Sequence, residues 1–207
     1  NGVDFWDWDD YNGVTYPAHA HALAETRDPA SLRQALEVIR RTTDADGSLW
    51  WWPFAHGETD TARVKRGLSK CGWSAGVIVA RLMHDVFGIR RSWRDRTLTV
   101  APFTPWTGYA WRDLPFGPDH VDIEHSCGAD AGRVLVRNRT GETVRTSVEL
   151  PVPIGAMIED IRVDGENGRY ESEVVQSYGG SAVRITRELA TGSTIELAVT
   201  WSKVVAR

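Results

Sequence analysis

The 207-residue chain is poor in cysteine and in methionine, with two of each. Cys71 and Cys127 are too few for a disulfide framework, and nothing near them has metal-ligand spacing, so no cofactor or metal is expected. No apolar run approaches the roughly 18–20 residues that a bilayer-crossing helix needs, which removes a membrane anchor from the expectation. A basic excess is missing as well. The formal net charge is −4, without the electrostatic footprint of a nucleic-acid binder. The opening Asn1-Gly2-Val3-Asp4 has neither Met nor a signal-peptide pattern, and reads as the interior of a longer protein. Internal repeats and low-complexity segments are also lacking. The remainder is ordinary for a globular protein, 42% hydrophobic and 25% charged, and the length allows one domain or two small ones.

Tryptophan is what the chain has in excess: ten, against five phenylalanines and five tyrosines. Two readings fit. One is a large aromatic core. The other is sugar binding, in which a rigid indole stacks on the apolar C–H face of a pyranose.

The most distinctive stretch runs Gly47-Ser-Leu-Trp-Trp-Trp-Pro-Phe-Ala-His-Gly-Glu58 and continues to Gly72-Trp-Ser-Ala-Gly76. An extended aromatic strip would put Trp50 and Trp52 on one face and Trp51 on the other. A polar loop with His56, Glu58 and Asp60 follows. After the Gly-Trp-Ser-Ala-Gly turn, apolar residues at 75, 78, 79, 82, 83, 86 and 87 have the spacing of one helix face, and Gly88 sits where helices commonly stop. Upstream, Tyr16-Pro17 leads into an alanine-rich helical run. Asp28-Pro29 caps a second helix whose stripe is Leu32, Ala35, Leu36 and Ile39.

Beyond Gly88 the period changes to two. Alternating runs recur at 98–101, 121–125, 133–137, 143–150, 182–186 and 194–200, separated by turn signals at 138–141, Asp164-Gly165, Gly179-Gly180 and Thr191-Gly192. The reading is multidomain, α then β. About three helices form the C-terminal portion of a catalytic domain over 1–90, and an antiparallel β-sandwich covers 91–207.

The aromatic strip, the carboxylate loop and the Gly-Trp-Ser-Ala-Gly helix start, in that order, resemble the C-terminal part of the six-hairpin glycosidases. These are (α/α)6-toroid enzymes that include α-glucosidases, trehalases, α-L-rhamnosidases and disaccharide phosphorylases. Tyr11-Asn-Gly-x-x-Tyr16-Pro17 is similar to their Asn-Gly-x-x-Trp-Pro helix entry, with Tyr16 where Trp is commoner, and Phe87-Gly-Ile89 followed by Ala101-Pro102 looks like their junction with a C-terminal sandwich. The resemblance implies a partial (α/α)6 toroid and glycosidic-bond cleavage by a carboxylate pair. Inverting cleavage needs a general acid and a general base about 6.5–9.5 Å apart. Three helices cannot close a ring of twelve. The acid is therefore expected on a missing N-terminal toroid half or second chain.

Glu58 is the carboxylate nearest the family's general base, and is also readable as a solvated loop acid. Trp50 and Trp52 are candidates for stacking on carbohydrate, or for core packing. His56, Asp7, Asp9 and Tyr16 are candidates for bonding sugar hydroxyls. The resemblance leaves sugar, anomer and phosphorolysis open. Two other readings compete: a toroid-type polysaccharide lyase, and a non-catalytic carbohydrate-binding or structural fragment.

Overall fold

The computed structural model of the chain describes residues 79–169, 172–177 and 180–202, with helical positions 30, 32, 33, 36, 37, 40 and 76 before them. The chain divides into two compact units, Asn1–Asp85 and Val86–Arg207. In the first, Leu32 is buried while Arg33, Glu37 and Arg40 are exposed, as expected for one buried helix face. Arg40 holds both carboxylate oxygens of Glu37, at 2.8 and 2.7 Å. The last helical residues form a π-helical stretch, Leu82–Val86.

The second unit is built from strands: β1 (Ile89–Ser92), β2 (Thr97–Val100), β3 (Gly108–Phe116), β4 (Asp119–Cys127), β5 (Ala131–Asn138), β6 (Val144–Pro151), β7 (Ile158–Val163), β8 (Glu166–Asn167), β9 (Glu173–Ser177), β10 (Gly180–Leu189) and β11 (Thr194–Trp201). They form two sheets, ordered β1-β2-β6-β10-β9 and β3-β4-β5-β11-β7-β8. Successive strand side chains point to opposite faces, and the sequence obeys that period. In β5, Val134 and Val136 are buried while Arg133 and Arg137 turn outward. In β11, Ile195, Leu197, Val199 and Trp201 are buried and Glu196 turns outward.

The two inner faces meet in a shared core. At Gly132 of β5, a Cβ would come within 2.9 Å of the Trp201 ring and 3.0 Å of Leu150 Cδ2 from the opposite sheet, so only the missing side chain leaves room for both. The Trp201 indole N–H donates to the Ala129 carbonyl at 3.1 Å, which satisfies the polar atom of a side chain only 1% exposed. The β5–β6 corner is tied by Asn138. Its amide donates to the carbonyls of Glu142 (2.7 Å) and Leu189 (2.8 Å), and its oxygen accepts from the Thr140 amide (2.9 Å).

The chain enters this unit through Val86, Phe87 and Gly88. The Ala101 amide donates to Gly88 O at 2.9 Å, and the Phe103 amide to Val86 O at 3.0 Å. Gly88 has φ +68°, and a Cβ there would lie 2.0 Å from the Ala101 carbonyl oxygen, so the turn out of the helical stretch needs glycine.

These observations correct the expected fold. The described residues are mostly strand. Helix is confined to positions within 30–40 and 76–86, and no partial (α/α)6 toroid is shown among them. Helical periodicity reports that a segment has one buried face; it does not report a ring of hairpins, and the toroid rested on motif resemblance alone. The strands are not wholly antiparallel either, because β2 runs parallel to β6, with Thr97 opposite Arg145. Between them β3, β4 and β5 are built into the other sheet, and the chain returns to the first sheet in the direction it left.

Candidate functional site

The residues singled out for chemistry from the sequence, Glu58 with Trp50, Trp52, His56, Asp7, Asp9 and Tyr16, lie outside the described residues. What the structure describes instead is a cluster of rings around the entry to the second unit, contributed by Phe87, Trp106 and the paired strands β3 and β4.

Phe87 is its centre. Trp106 stacks on it (centroids 5.8 Å, planes 25° apart), while Tyr109 and Trp111 meet it edge-on at 5.0 and 5.4 Å. These are the offset and T-shaped geometries that aromatic quadrupoles favour. The Tyr109 hydroxyl donates to the Phe87 carbonyl at 2.7 Å. Burial raises the Tyr109 phenol above its ordinary range, so it stays a donor. Trp106 remains 47% exposed. Its backbone is held by Thr104, whose hydroxyl accepts from the Trp106 amide at 3.1 Å and donates to the Trp106 carbonyl at 2.9 Å.

Tyr109 and Trp111 share the inward face of β3. The strand then carries a bulge between Trp111 and Leu114, with Asp113 at φ +54°, which lets Leu114 and Phe116 point inward as well. The bulge is fastened by the Asp113 amide donating to Asp122 Oδ1 at 2.9 Å and by Arg139 reaching Asp113 at 2.7 Å.

Opposite Tyr109 on β4 stands His125, 7% exposed, its ring 5.2 Å from the tyrosine ring. Its Nδ1 is buried without a hydrogen-bond partner. Burial holds its pKa down at about 4, so the ring is neutral at neutral pH. Cys127, two residues on, is a free thiol whose pKa burial raises, unlike that of a reactive cysteine.

Several carboxylates of the two sheets are held in ion pairs. Glu196 pairs with Arg133 (2.5 Å), Glu149 and Glu173 with Arg184 (2.8 and 3.2 Å), and Asp122 with Arg139 (3.5 Å), all on outward faces. Among the described residues no group of three His, Cys, Asp or Glu side chains is placed to hold a metal ion. Sequence reading passed over the ring cluster. Its signal was present, three aromatic residues within 106–111 just after two prolines, but the segment reads as Pro-rich connecting chain.

No family model matches the sequence, and no curated protein matches it. A solved structure, the alpha-L-rhamnosidase from Dictyoglumus thermophilum, is similar to 65% of this chain at 10% identity and a TM-score of 0.45. The similar region spans 15% of that protein's chain.

Proposed function

We propose that this chain is part of a glycoside hydrolase. In this reading Glu58 is the general base that activates water, and a carboxylic acid on another part of the protein or on a second chain protonates the leaving oxygen. Trp50 and Trp52 stack on the sugar, and His56, Asp7, Asp9 and Tyr16 bond its hydroxyls. The observation that carries the reading is the order of the sequence elements: tryptophan strip, His56–Glu58 loop, Gly-Trp-Ser-Ala-Gly turn, then helix and Gly88. The second unit supports the same division of labour. Its Glu196, Glu149, Glu173 and Asp122 are held in ion pairs with arginines on outward faces, which suits a supporting module.

The test is turnover of a panel of nitrophenyl glycosides by the purified protein, with any chain that co-purifies retained. Glu58→Gln keeps the size and removes the base, and is expected to cut kcat by at least about 10³-fold with Tm unchanged. Full activity in that variant would remove Glu58 from the mechanism. An unsaturated product absorbing in the near ultraviolet would identify elimination instead of hydrolysis.

A further inference from the structure

We infer that Tyr109 and His125 form an acid-sensitive clamp on residues 86–88, where the chain enters the sandwich: the tyrosine hydroxyl holds the Phe87 carbonyl while neutral His125 backs the tyrosine ring, and protonation of His125 opens the clamp. The inference is independent of the glycosidase reading.

The clamp is a short chain of contacts. His125 lies against Tyr109, Tyr109 bonds Phe87 O, and Phe87 meets Trp106, Tyr109 and Trp111 by its ring. Its neighbours Val86 and Gly88 present their carbonyls to the amides of Phe103 and Ala101. The Nδ1 of His125 faces no hydrogen-bond acceptor, and no charged side chain acts on the ring to offset an imidazolium. β3 brings Tyr109 against His125 and β5 brings Val134 opposite it, while Ile123 and Cys127 flank it on its own strand. Of these only Tyr109 and Cys127 titrate, and burial keeps both protonated, Cys127 as a thiol that carries no charge. Burial is the cause of the low pKa at His125, with no charged group acting on it. A second proton would leave a cation in an apolar ring cluster with Nδ1–H facing no acceptor, and opening to water is the available relief.

The direction follows from linkage. An opened His125 titrates near its ordinary 6.5 and a closed one near 4, so the open form binds more protons between those values. Opening is therefore insensitive to pH above about 6.5 and becomes more favourable as pH falls towards 4, by a factor on the order of a hundred.

Hydrogen exchange by mass spectrometry, corrected for intrinsic rates, reads the clamp in the full protein. The Ala101 and Phe103 amides are expected to lose protection on the order of a hundred-fold between pH 7 and pH 4. The Asn138 amide at the end of β5 and the Gly192 amide in the β10–β11 turn, bonded to Ser193 O and Asn138 O, should hold theirs. His125→Leu should keep protection at pH 7 and lose the acid response. Tyr109→Phe keeps the ring, drops the hydroxyl, and should lower protection at every pH. An undiminished acid response in His125→Leu, or a parallel loss at Asn138, would overturn the inference. So that it stays testable if His125→Leu does not fold, the imidazole of the unaltered protein can be titrated by NMR: a midpoint near 6.5 overturns the clamp, as does one near 4 with Ala101 and Phe103 protection unchanged, while one near 4 with that protection lost upholds it.

Discussion

Asn138 on β5 and His125 on β4 are both polar, both buried, and set in adjacent strands of one sheet. They differ in what surrounds them. Around Asn138 every polar atom has a use: both amide hydrogens reach carbonyls, one of them from the β10 end at Leu189, and the oxygen takes the Thr140 amide. Around His125 stand the Tyr109 ring, Val134, Ile123 and the Cys127 thiol, and one nitrogen has no partner. A fully satisfied polar group joins elements that apolar packing alone would leave free to slide. A partly satisfied one is tolerated only in the protonation state that carries no charge. The same sheet thus has a permanent brace at one corner and a conditional one at the other.

The largest expected effect breaks the permanent brace. Asn138→Leu keeps the branched shape of the amide but leaves the Leu189 carbonyl and the Thr140 amide without their side-chain partner, and should cost about 2–4 kcal/mol by urea unfolding, at all pH values alike. His125→Leu should lie within about 1 kcal/mol of the parent at pH 7, because a neutral ring with an unpaired nitrogen contributes little polar stabilisation. A loss as large as that of Asn138→Leu would erase the contrast. Smallest is Arg184→Ala on the outward face, where the ion pairs with Glu149 and Glu173 are partly solvated; about 0.5–1 kcal/mol, reduced by salt, is expected.

The contrast also marks what the sequence could tell. The alternating runs at 98–101, 121–125, 133–137, 143–150, 182–186 and 194–200 coincide with β2, β4, β5, β6, β10 and β11, because one-sided burial writes a period of two into the chain. β3 did not read as a strand. Its bulge at Arg112 and Asp113 interrupts the alternation, and Pro115 near its end argues against a strand. β9 is a short edge strand with exposed Val174, so it has little buried pattern to show. The Asn138-Arg-Thr-Gly141 turn was visible by its residue types, but its partner at Leu189 was not, since no local pattern specifies a contact 51 residues away. His125 sits within a recognised alternating run. Its burial follows from the run, yet its missing partner follows only from what β3 and β5 bring beside it. The chemistry assigned to Glu58 and the tryptophan strip was legible only as motif order and stands as proposed.

The parallel pairing of β2 with β6 has a consequence for assembly. The β1–β2 hairpin can close on itself, but it gains its place in a sheet only once β6 arrives, after the chain has laid down three strands elsewhere. Closing that long loop is entropically demanding and characteristically slow. The edge next to the Gly88 turn is therefore completed by a distant part of the sequence, and a truncation anywhere before β6 would leave the hairpin with an unpaired flank available to another chain.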